Sequence, residues 1–506
     1  MNFHLSRRFC LTVILLVSVL MHLKGLAAPV LDYHYHRQCN TAAIGRNYFE
    51  HKLQFFHPRI DWMGSYDGRA ATEFPLYMFL IGVLWPFFLG ELWGRLLAVL
   101  FSALTGVYLF RFLEEKLGRE AAFYSGVLFS FIPLEIYFGR TVQPEALALL
   151  STVAAFDHWE RSLTPDRPPG DWLAAVFFAF FAISHKLPYV FMLIPMAYLA
   201  WQKLGKMALR DAGVLLSFPL IGLGVYGWYH HAAGGAYVVP AHQGEFLALL
   251  DYKHLPYFVQ FQFVSRFPEL AATYGGLLLM FFGLREVVFR KKMVFFAVWF
   301  GAICAHLIAG GRYTFSHEYT SLPLVPVNAA FMGEGLRLLR ERASAVRRDM
   351  RGWAWAALAV LVLSIPVHAT LRIHHWYKLS YPFLLQAEKV VDGFSAREDL
   401  FVTNDRTGSV FLYKIHRRGW GWDFRQYGEK DTLAQIEERR GQGAKYLLTE
   451  KTGVFADATD PIAKRVYARW PVVHDGDGMV VFRLEEKKVS ARAAARGKGK
   501  NPRMRK

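Results

Sequence analysis

Long apolar stretches separated by short polar segments occupy the first 371 residues of the chain. Most of these stretches approach the roughly 20 residues that an α-helix needs to cross a hydrocarbon core about 30 Å thick. The pattern therefore predicts an α-helical integral membrane protein with about eleven transmembrane helices. The predicted spans are 7–27, 92–113, 120–138, 144–160, 171–185, 187–202, 212–229, 270–285, 293–309, 317–335 and 352–371.

The apolar run 74–89 is left out of this set because of the charges in the loops that follow it. If it crossed the membrane, every later loop would change sides relative to the first helix. If it lies at the interface, as its prolines and aromatic residues indicate, the basic loops share one side, which the positive-inside rule assigns to the cytoplasm. Those loops contain Arg7 and Arg8, Lys116 and Arg119, Arg161 and Arg167, Lys203 and Arg210, Arg285 and Lys292, and the run 337–351.

The N-terminus has two interpretations. Two arginines followed by the apolar run 9–21 resemble a signal peptide, with a cleavage site near Ala27. The alternative is a first transmembrane helix that the protein keeps. We favour the kept helix, because Lys24 would interrupt a cleavage region and the chain that follows is a membrane domain.

Beyond residue 372 the pattern changes from membrane spans to shorter elements. The predicted strands are 400–403, 445–449 and 479–484, and a helix is predicted at 432–440. We therefore expect a membrane domain at 1–371, with an outer loop at 28–91, followed by an extracytoplasmic α/β domain at 372–486. The tail 487–506 is basic and rich in Ala and Gly, a composition typical of disorder.

Composition supports the membrane interpretation. The 506 residues are 54% hydrophobic and only 20% charged, which is more apolar than an ordinary soluble protein. The net charge of +18 comes from the lysines and arginines that cytoplasmic loops require. No nucleic-acid-binding motif accompanies this charge, so nucleic acid is not an expected partner. Three cysteines provide no disulfide framework.

Ionisable side chains on the predicted outer side are the candidates for chemistry. Among the charged residues of the loop 28–91, the candidates are the carboxylates Asp32, Asp61 and Glu73 and the cation Arg37. Paired carboxylates suit proton abstraction or metal binding. For any single residue an ordinary solvated loop is the better interpretation. The crowding of acids, histidines and arginines beside a bilayer favours a functional site.

Further outer turns contain charged or aromatic side chains. Arg140 and Glu145 flank one turn, Lys186 lies in the next, and His317 and Tyr319 come at the start of a predicted helix. The cations could bind a phosphate whose negative charge increases during a reaction. The alternatives are helix capping for Glu145, a snorkelling side chain for Lys186 and membrane anchoring for Tyr319.

Taken in order, these segments resemble the GT-C class of membrane glycosyltransferases. Within that class they are similar to the bacterial branch related to protein O-mannosyltransferases and lipid A aminoarabinose transferases. The resemblance covers roughly residues 7–371 and rests on the order of the motifs, since each motif is short. The motifs are His36-Arg37-Gln38 with Thr41 to Asn47, His57 to Trp62, Glu73 to Tyr77, Arg140-Thr141 with Pro144-Glu145, His185 to Tyr189, and His317 to Tyr319 before Leu322-Pro323.

The resemblance implies transfer of a sugar from a polyprenyl-phosphate donor to an extracytoplasmic acceptor (a glycan, lipid or protein) at the bacterial inner membrane. A carboxylate in the first outer loop would act as the base or orient the acceptor, with support from Glu145. Glu73 would be the candidate ligand if a divalent metal takes part, and no other cofactor is implied. The residues expected to contact the donor phosphate are Arg37, Arg140, Lys186, His317 and Tyr319.

One position departs from the family pattern. Where Arg-Gln-x-Asp-Thr has an acid, this chain has Asn40, and an amide can neither take a proton as a base nor bring charge to a metal. Either Asp61, Asp32 or Glu73 supplies the carboxylate, or Asn40 only orients the acceptor, or the enzyme is catalytically impaired. We prefer the first of these, with Asp61 and Asp32 both open.

A transporter or flippase of a lipid-linked saccharide is the alternative class of function. Such a protein would be expected to contain inverted repeats and charges near the middle of the membrane. Here the conspicuous charges cluster at one face of the predicted bundle, which favours an enzyme.

Overall fold

The computed structural model describes residues 6–485, apart from 63, 72, 88–89, 165–168, most of 205–236, 239–252, 291–292 and 458. The predicted span 212–229, much of the following outer loop and the basic tail 487–506 therefore lie outside the described residues. The chain divides into two compact units. We call Met1–Arg59 with Arg69–Ser380 the helical unit, and Ile60–Gly68 with Tyr381–Lys506 the sheet unit.

The helical unit consists of helices at almost every predicted span. Its α-helices are Arg7–His22, Tyr35–Glu50, Leu76–Leu84, Glu91–Leu117, Arg119–Phe129, Pro133–Phe138, Glu145–Ser162, Pro169–His185, Leu193–Leu204, Leu255–Gln260, Tyr274–Arg290, Val294–Ala309, Gly311–Ser316, Leu324–Ala345 and Arg351–Ile373. A π-helix, Phe261–Ala272, and the 3-10 helices Trp85–Phe87, Leu187–Met192, Glu318–Ser321 and His374–Tyr377 complete the set. A two-residue strand β1 (Ala70–Ala71) pairs in parallel with β2 (Tyr237–Val238).

Two helices in the described part of the chain are long and apolar enough to cross a membrane by themselves, Glu91–Leu117 and Arg351–Tyr377. A third candidate is the pair Leu255–Ala272 and Tyr274–Glu286, which is bent by 99° at the break between its members. Shorter apolar helices include Gly170–His185 and Val294–Ala309. The helical architecture is as predicted, whereas the number of about eleven spans stays a prediction.

Small residues let the helices of this unit approach closely. A Cβ added at Gly283 would overlap the backbone of Phe331, and one added at Gly335 would overlap the backbone of Leu279. The helices Tyr274–Arg290 and Leu324–Ala345 are therefore in backbone contact at two places, the kind of packing by which membrane helices associate without side-chain bulk.

The sheet unit is the α/β fold predicted for the C-terminal region. Its strands are β3 (Leu400–Asn404), β4 (Gly419–Trp422), β5 (Ala444–Glu450), β6 (Val472–Gly476) and β7 (Met479–Arg483), in the order β4-β3-β5-β7-β6. The pairs β3/β4 and β3/β5 are parallel, and β7 is antiparallel to both of its neighbours. The α-helices are Leu384–Asp392, Val410–Lys414, Glu429–Gly441 and Pro461–Arg469, and the 3-10 helices are Phe424–Gln426 and Gly453–Phe455.

Nine residues of the predicted outer loop, Ile60–Gly68, belong to the sheet unit. The backbone N–H of Gly64 donates to the carbonyl of Gly419 at 2.8 Å, and that of Gly419 donates to the carbonyl of Asp61 at 3.2 Å. The indole Nε1 of Trp62 donates to the carbonyl of Gly421 at 3.1 Å. This segment therefore covers the open edge of β4, where unpaired backbone groups need partners.

Candidate functional site

Four charged side chains of the helical unit come together in what we call the ionic cluster, Arg37, Glu73, Glu145 and Lys186. The Lys186 Nζ atom lies 2.8 Å from Glu145 Oε1 and 3.3 Å from Glu73 Oε1. Arg37 forms an ion pair with Glu73, and its Nη2 atom lies 3.8 Å from Glu145 Oε1. Each carboxylate therefore faces both cations.

Proline-containing breaks place two members of this cluster, Glu145 and Lys186, at helix ends. Glu145 is the first residue of the helix Glu145–Ser162, directly after Pro144, where a carboxylate is stabilised by the helix dipole. Lys186 follows the end of the helix Pro169–His185 and precedes Leu187-Pro188, a dipeptide that disfavours continuation of the helix. The α-helix ends there, and the Lys186 side chain contacts the two carboxylates.

The cluster is electrically balanced and largely hidden from solvent. The side chains of Lys186 and Glu145 are 10% and 2% exposed. Burial by itself would raise the pKa of Glu73, but the charges of Arg37 and Lys186 outweigh it and lower that pKa to about 2. Neither oxygen of Glu145 accepts a hydrogen bond of ordinary geometry from the described residues, so this carboxylate keeps hydrogen-bonding capacity beside its charge contacts.

A partly open cavity borders the cluster. Lys186 and Glu145 contribute polar lining together with Tyr313 and Tyr319. The apolar part of the lining includes Pro188, Phe191, Met192, Trp299, Ile303 and Pro323. The site therefore joins an ion-binding surface to a hydrophobic wall, which is the combination that an amphipathic ligand with one charged group requires.

Tyr319 connects several predicted site residues. The centre of its ring lies 5.0 Å from Lys186 Nζ and 5.9 Å from the guanidinium carbon of Arg37. The His317 ring stacks on Tyr319 with the ring centres 5.2 Å apart. The structure thus brings Arg37, Glu73, Glu145, Lys186, His317 and Tyr319 into one neighbourhood.

Arg140 and Asp32 are held elsewhere in the helical unit. Both side chains are fully buried, and Arg140 Nη2 donates to Asp32 Oδ2 at 2.7 Å. Asp32 also accepts from Arg95 at 3.2 Å and from the Gln38 amide at 2.6 Å. Neither Asp32 nor Arg140 belongs to the cavity lining. A buried arginine requires a compensating charge, and here that charge is Asp32.

The two remaining candidates, Asp61 and Asn40, have different surroundings. Asp61 is buried in the sheet unit, where its carbonyl pairs with Gly419. Asn40 lies on the helix Tyr35–Glu50, and its Nδ2 atom is 3.0 Å from His36 Nε2 on the same helix. The described hydrogen bond of Asn40 therefore lies within its own helix.

The acids of the cluster do not fit a divalent metal ion. Glu73 and Glu145 each face Lys186 and Arg37, so a metal would add two positive charges where two cations already compensate the carboxylates. Among the described residues, no group of three metal-ligating side chains occurs that could complete a site. The predicted metal role of Glu73 finds no support in these contacts.

Comparisons with known proteins agree with this architecture. Residues 70–228 match the family model described as dolichyl-phosphate-mannose-protein mannosyltransferase. Among curated proteins no sequence matches the chain. The structure resembles ArnT from Cupriavidus metallidurans bound to undecaprenyl phosphate, with 13% identity, a TM-score of 0.60, and coverage of 94% of this chain and 98% of that chain. It also resembles the oligosaccharyltransferase AglB from Archaeoglobus fulgidus in complex with an inhibitory peptide and a dolichol-phosphate, with 11% identity, a TM-score of 0.56, and coverage of 95% and 74%.

The chain has a GT-C-type glycosyltransferase fold. The resemblance to this class predicted from the sequence motifs is therefore confirmed. At these identities the likeness concerns the GT-C fold alone. The segment matched by the family model contains Glu73, Glu145 and Lys186, whereas Arg37 lies outside it.

Sequence reasoning missed one contact in this GT-C fold. In the sequence, His34 is one polar residue among several in the first outer loop, and no pattern there pairs it with Glu318. The structure brings His34 Nε2 to 3.0 Å from Glu318 Oε2, across 284 positions of sequence. The only available signal was that ionisable groups at membrane level are usually paired or functional.

Proposed function

We propose that this protein is an integral membrane glycosyltransferase that moves a sugar from a polyprenyl-phosphate donor to an extracytoplasmic acceptor. The observation that carries the proposal is the ionic cluster at the edge of a largely apolar cavity. The GT-C fold favours this reaction over a transporter or flippase. Two structures with the same fold contain a lipid phosphate, undecaprenyl phosphate in ArnT and dolichol-phosphate in AglB, which supports a donor of this class.

In this proposal the cavity wall binds the prenyl chain of the donor. Burying apolar chain against Trp299, Ile303 and Met192 contributes about 0.8 kcal/mol for each CH₂ group removed from water. Lys186 then binds the phosphate, because its side chain lines the cavity. Arg37, which pairs with the same two carboxylates, adds a second positive charge.

The proposed reaction replaces one bond to the anomeric carbon by another. An acceptor oxygen bonds to that carbon, the bond from the carbon to the phosphate oxygen breaks, and the lipid phosphate leaves with the bonding electron pair. The phosphate gains negative charge as it leaves, and Lys186 and Arg37 stabilise that charge more strongly than the charge of the bound donor. Glu73 and Glu145 hold both cations in position before the donor binds.

The proposed location is the bacterial inner membrane, with the ionic cluster and the sheet unit on the extracytoplasmic side. The distribution of basic loops supports this orientation. Labelling of single cysteines introduced at Glu388 in the sheet unit and at Arg347 in a predicted cytoplasmic loop tests it. A membrane-impermeant reagent added to intact spheroplasts should modify only the first, and modification of the second alone would contradict the orientation.

Binding of undecaprenyl phosphate by the purified protein tests the core of the proposal. We expect Lys186→Ala to weaken binding about 10- to 100-fold, since a hydrogen bond to a charged group contributes about 1.5–3 kcal/mol. Undecaprenol, which lacks the phosphate, should bind wild type and variant alike. Lys203→Ala is the matched control, because Lys203 pairs with Glu160 and does not line the cavity.

Transfer is tested with radiolabelled sugars linked to undecaprenyl phosphate and with cell-envelope extract as the source of acceptors. Wild type should transfer label, and Lys186→Ala and Glu145→Gln should reduce transfer strongly while thermal unfolding shows an intact fold. Equal binding of undecaprenyl phosphate by wild type and Lys186→Ala would contradict the assignment of the donor site.

A further inference from the structure

The His34 side chain is arranged as a base with a carboxylate partner. Its Nε2 atom lies 3.0 Å from Glu318 Oε2, and the two side chains are 14% and 18% exposed. A carboxylate only accepts hydrogen bonds, so the neutral imidazole carries its proton on Nε2. Within the described part of the chain, no hydrogen bond engages Nδ1. That nitrogen keeps its lone pair available.

Glu318 is itself held in place. Arg266 Nη2 lies 3.6 Å from Glu318 Oε1. The guanidinium of Arg266 is anchored by the carbonyl of Thr314 at 2.6 Å and by the Gln262 side chain at 3.0 Å. This arginine keeps the Glu318 carboxylate charged and oriented. A carboxylate that positions a histidine ring must be both.

His34 lies beside the proposed donor site. Its ring centre is 5.3 Å from that of Tyr319, and Tyr319 in turn contacts Lys186 and Arg37. Arg37 follows His34 by three positions at the start of the helix Tyr35–Glu50. One aromatic ring therefore separates the histidine from the cations that would hold the phosphate.

The backbone of His34 is strained. The residue adopts φ 59° and ψ 30°, the left-handed region that a non-glycine side chain occupies at a cost of about 1–3 kcal/mol. Although His34 stands at the N-cap position of the helix, its side chain makes no capping hydrogen bond. A side-chain cap of the helix therefore does not explain the conformation.

Cations already engage the carboxylates that the sequence offers as candidate bases in the helical unit. The Glu73 carboxylate, with its pKa lowered to about 2 by Arg37 and Lys186, is a weak base. Glu145 faces the same two cations, and Asp32 is enclosed by Arg95 and Arg140. Asn40 cannot act as a base at all.

We infer that His34 is the base that activates the acceptor in the proposed transfer and that Glu318 positions it. This inference rests on the proposed function. As the acceptor oxygen bonds to the anomeric carbon, its proton moves to Nδ1 of His34, and the lipid phosphate leaves with the electron pair of the broken bond. The imidazolium that results lies against the Glu318 carboxylate, which stabilises its charge, and it returns the proton to water.

The His34→Asn variant tests the base while preserving the backbone, because Asn tolerates the left-handed conformation and its amide cannot take a proton. With an undecaprenyl-phosphate-linked sugar that the wild type transfers, we expect kcat to fall about 10²- to 10⁴-fold. KM for the donor and binding of undecaprenyl phosphate should stay within about twofold. His374→Ala, at an exposed histidine of the same unit, should transfer like wild type.

Two further variants separate chemistry from structure. His34→Gly accepts the same backbone angles and leaves space for a small molecule, so added imidazole should restore part of its activity. Glu318→Gln should lower kcat, and Glu318→Asp should recover more of it than Gln does, since only Asp keeps the charge.

The outcomes distinguish this inference from the proposed function. Unchanged kcat in His34→Asn, or no effect of imidazole on His34→Gly, would overturn the role of His34. A parallel loss of donor binding in His34→Asn would also overturn it, by indicating a structural role. If the assignment of the donor site is wrong, a separate result shows it: Lys186→Ala binds undecaprenyl phosphate as well as wild type does.

Discussion

Arg140 Nη2 lies 2.7 Å from Asp32 Oδ2, and neither side chain is exposed. Arg95 binds the other oxygen of the same carboxylate at 3.2 Å. The guanidinium of Arg140 also packs over the rings of Tyr137 and Tyr377 and donates to the carbonyl of Gly25. Asp32 thus compensates two buried arginines. It also links the first outer segment to the segments that contain Arg95 and Arg140.

We expect Asp32→Asn to be more destabilising than Arg140→Met. Removing the acid leaves two buried guanidinium groups without compensation, whereas removing Arg140 leaves Asp32 paired with Arg95. Breaking a buried ion pair from one side costs about 3–5 kcal/mol. Thermal unfolding of the purified variants in detergent measures the order, with the exposed Asp349→Asn as control. Equal stability of Asp32→Asn and wild type would contradict this account.

Filling the cavity should weaken binding of a long lipid phosphate. Ile303 lines the cavity, so Ile303→Trp would place a larger side chain where the proposed prenyl chain lies. We expect the dissociation constant for undecaprenyl phosphate to rise at least about tenfold, the equivalent of about two buried CH₂ groups. The control is Leu363→Trp at an exposed position on another helix. Undiminished binding by a folded Ile303→Trp protein would remove the cavity from the donor site.

The acid stability of the protein should depend on Glu73. Its pKa is lowered from an ordinary 4.5 to about 2 in the folded state, because Arg37 and Lys186 overcome the effect of burial. The ionised carboxylate therefore contributes stability that is fully present above pH 4.5 and is lost as the pH falls towards 2.

Melting temperatures of wild type and Glu73→Gln across this interval measure that contribution. The two should differ most near neutral pH and converge as the pH approaches 2. Glu115→Gln, at a side chain that is 57% exposed, is the control for loss of a carboxylate elsewhere in the unit. A constant difference at all pH values would show that Glu73 is not linked to folding through its charge.

A methyl group at Gly64 should loosen the segment 60–68 from β4. Gly64 has φ 58°, and a Cβ there would overlap the indole ring of Trp420. The conformation alone costs a non-glycine residue about 1–2 kcal/mol. Limited proteolysis should cut the segment faster in Gly64→Ala than in Gly441→Ala, where a Cβ meets nothing within 4 Å. Equal cleavage would mean that the segment does not depend on this close approach.

Much of the architecture follows from patterns that are local in the sequence. The structure has helices at nearly all the positions where apolar runs predicted them, because the length and hydropathy of a run decide whether a helix can be buried or span a membrane. Turn residues located Glu145 and Lys186 at helix ends, since proline acts on its immediate neighbours. The short strands 400–403, 445–449 and 479–484 were predicted by the same local reasoning and occur in β3, β5 and β7.

The partners of charged residues did not follow from the sequence. Arg140 and Lys186 look alike as basic residues in outer turns, yet one is enclosed by Asp32 and Tyr137 and the other borders a cavity. Similarly, Asp61 and Glu73 are close in sequence, but they belong to different units. Which acid compensates which cation depends on the full set of neighbours.

The sequence by itself determined the helical character of the chain, the change to an α/β unit after the last long apolar run, and the order of motifs that marks the GT-C class. Only the tertiary structure decided that Asp32 compensates two arginines, that the segment 60–68 joins β4, and that His34 meets Glu318 across 284 positions. The physical reason is the range of the interactions. Helix and strand formation are encoded within a few residues, whereas an ion pair needs only that two distant segments fold to within a few ångströms of each other.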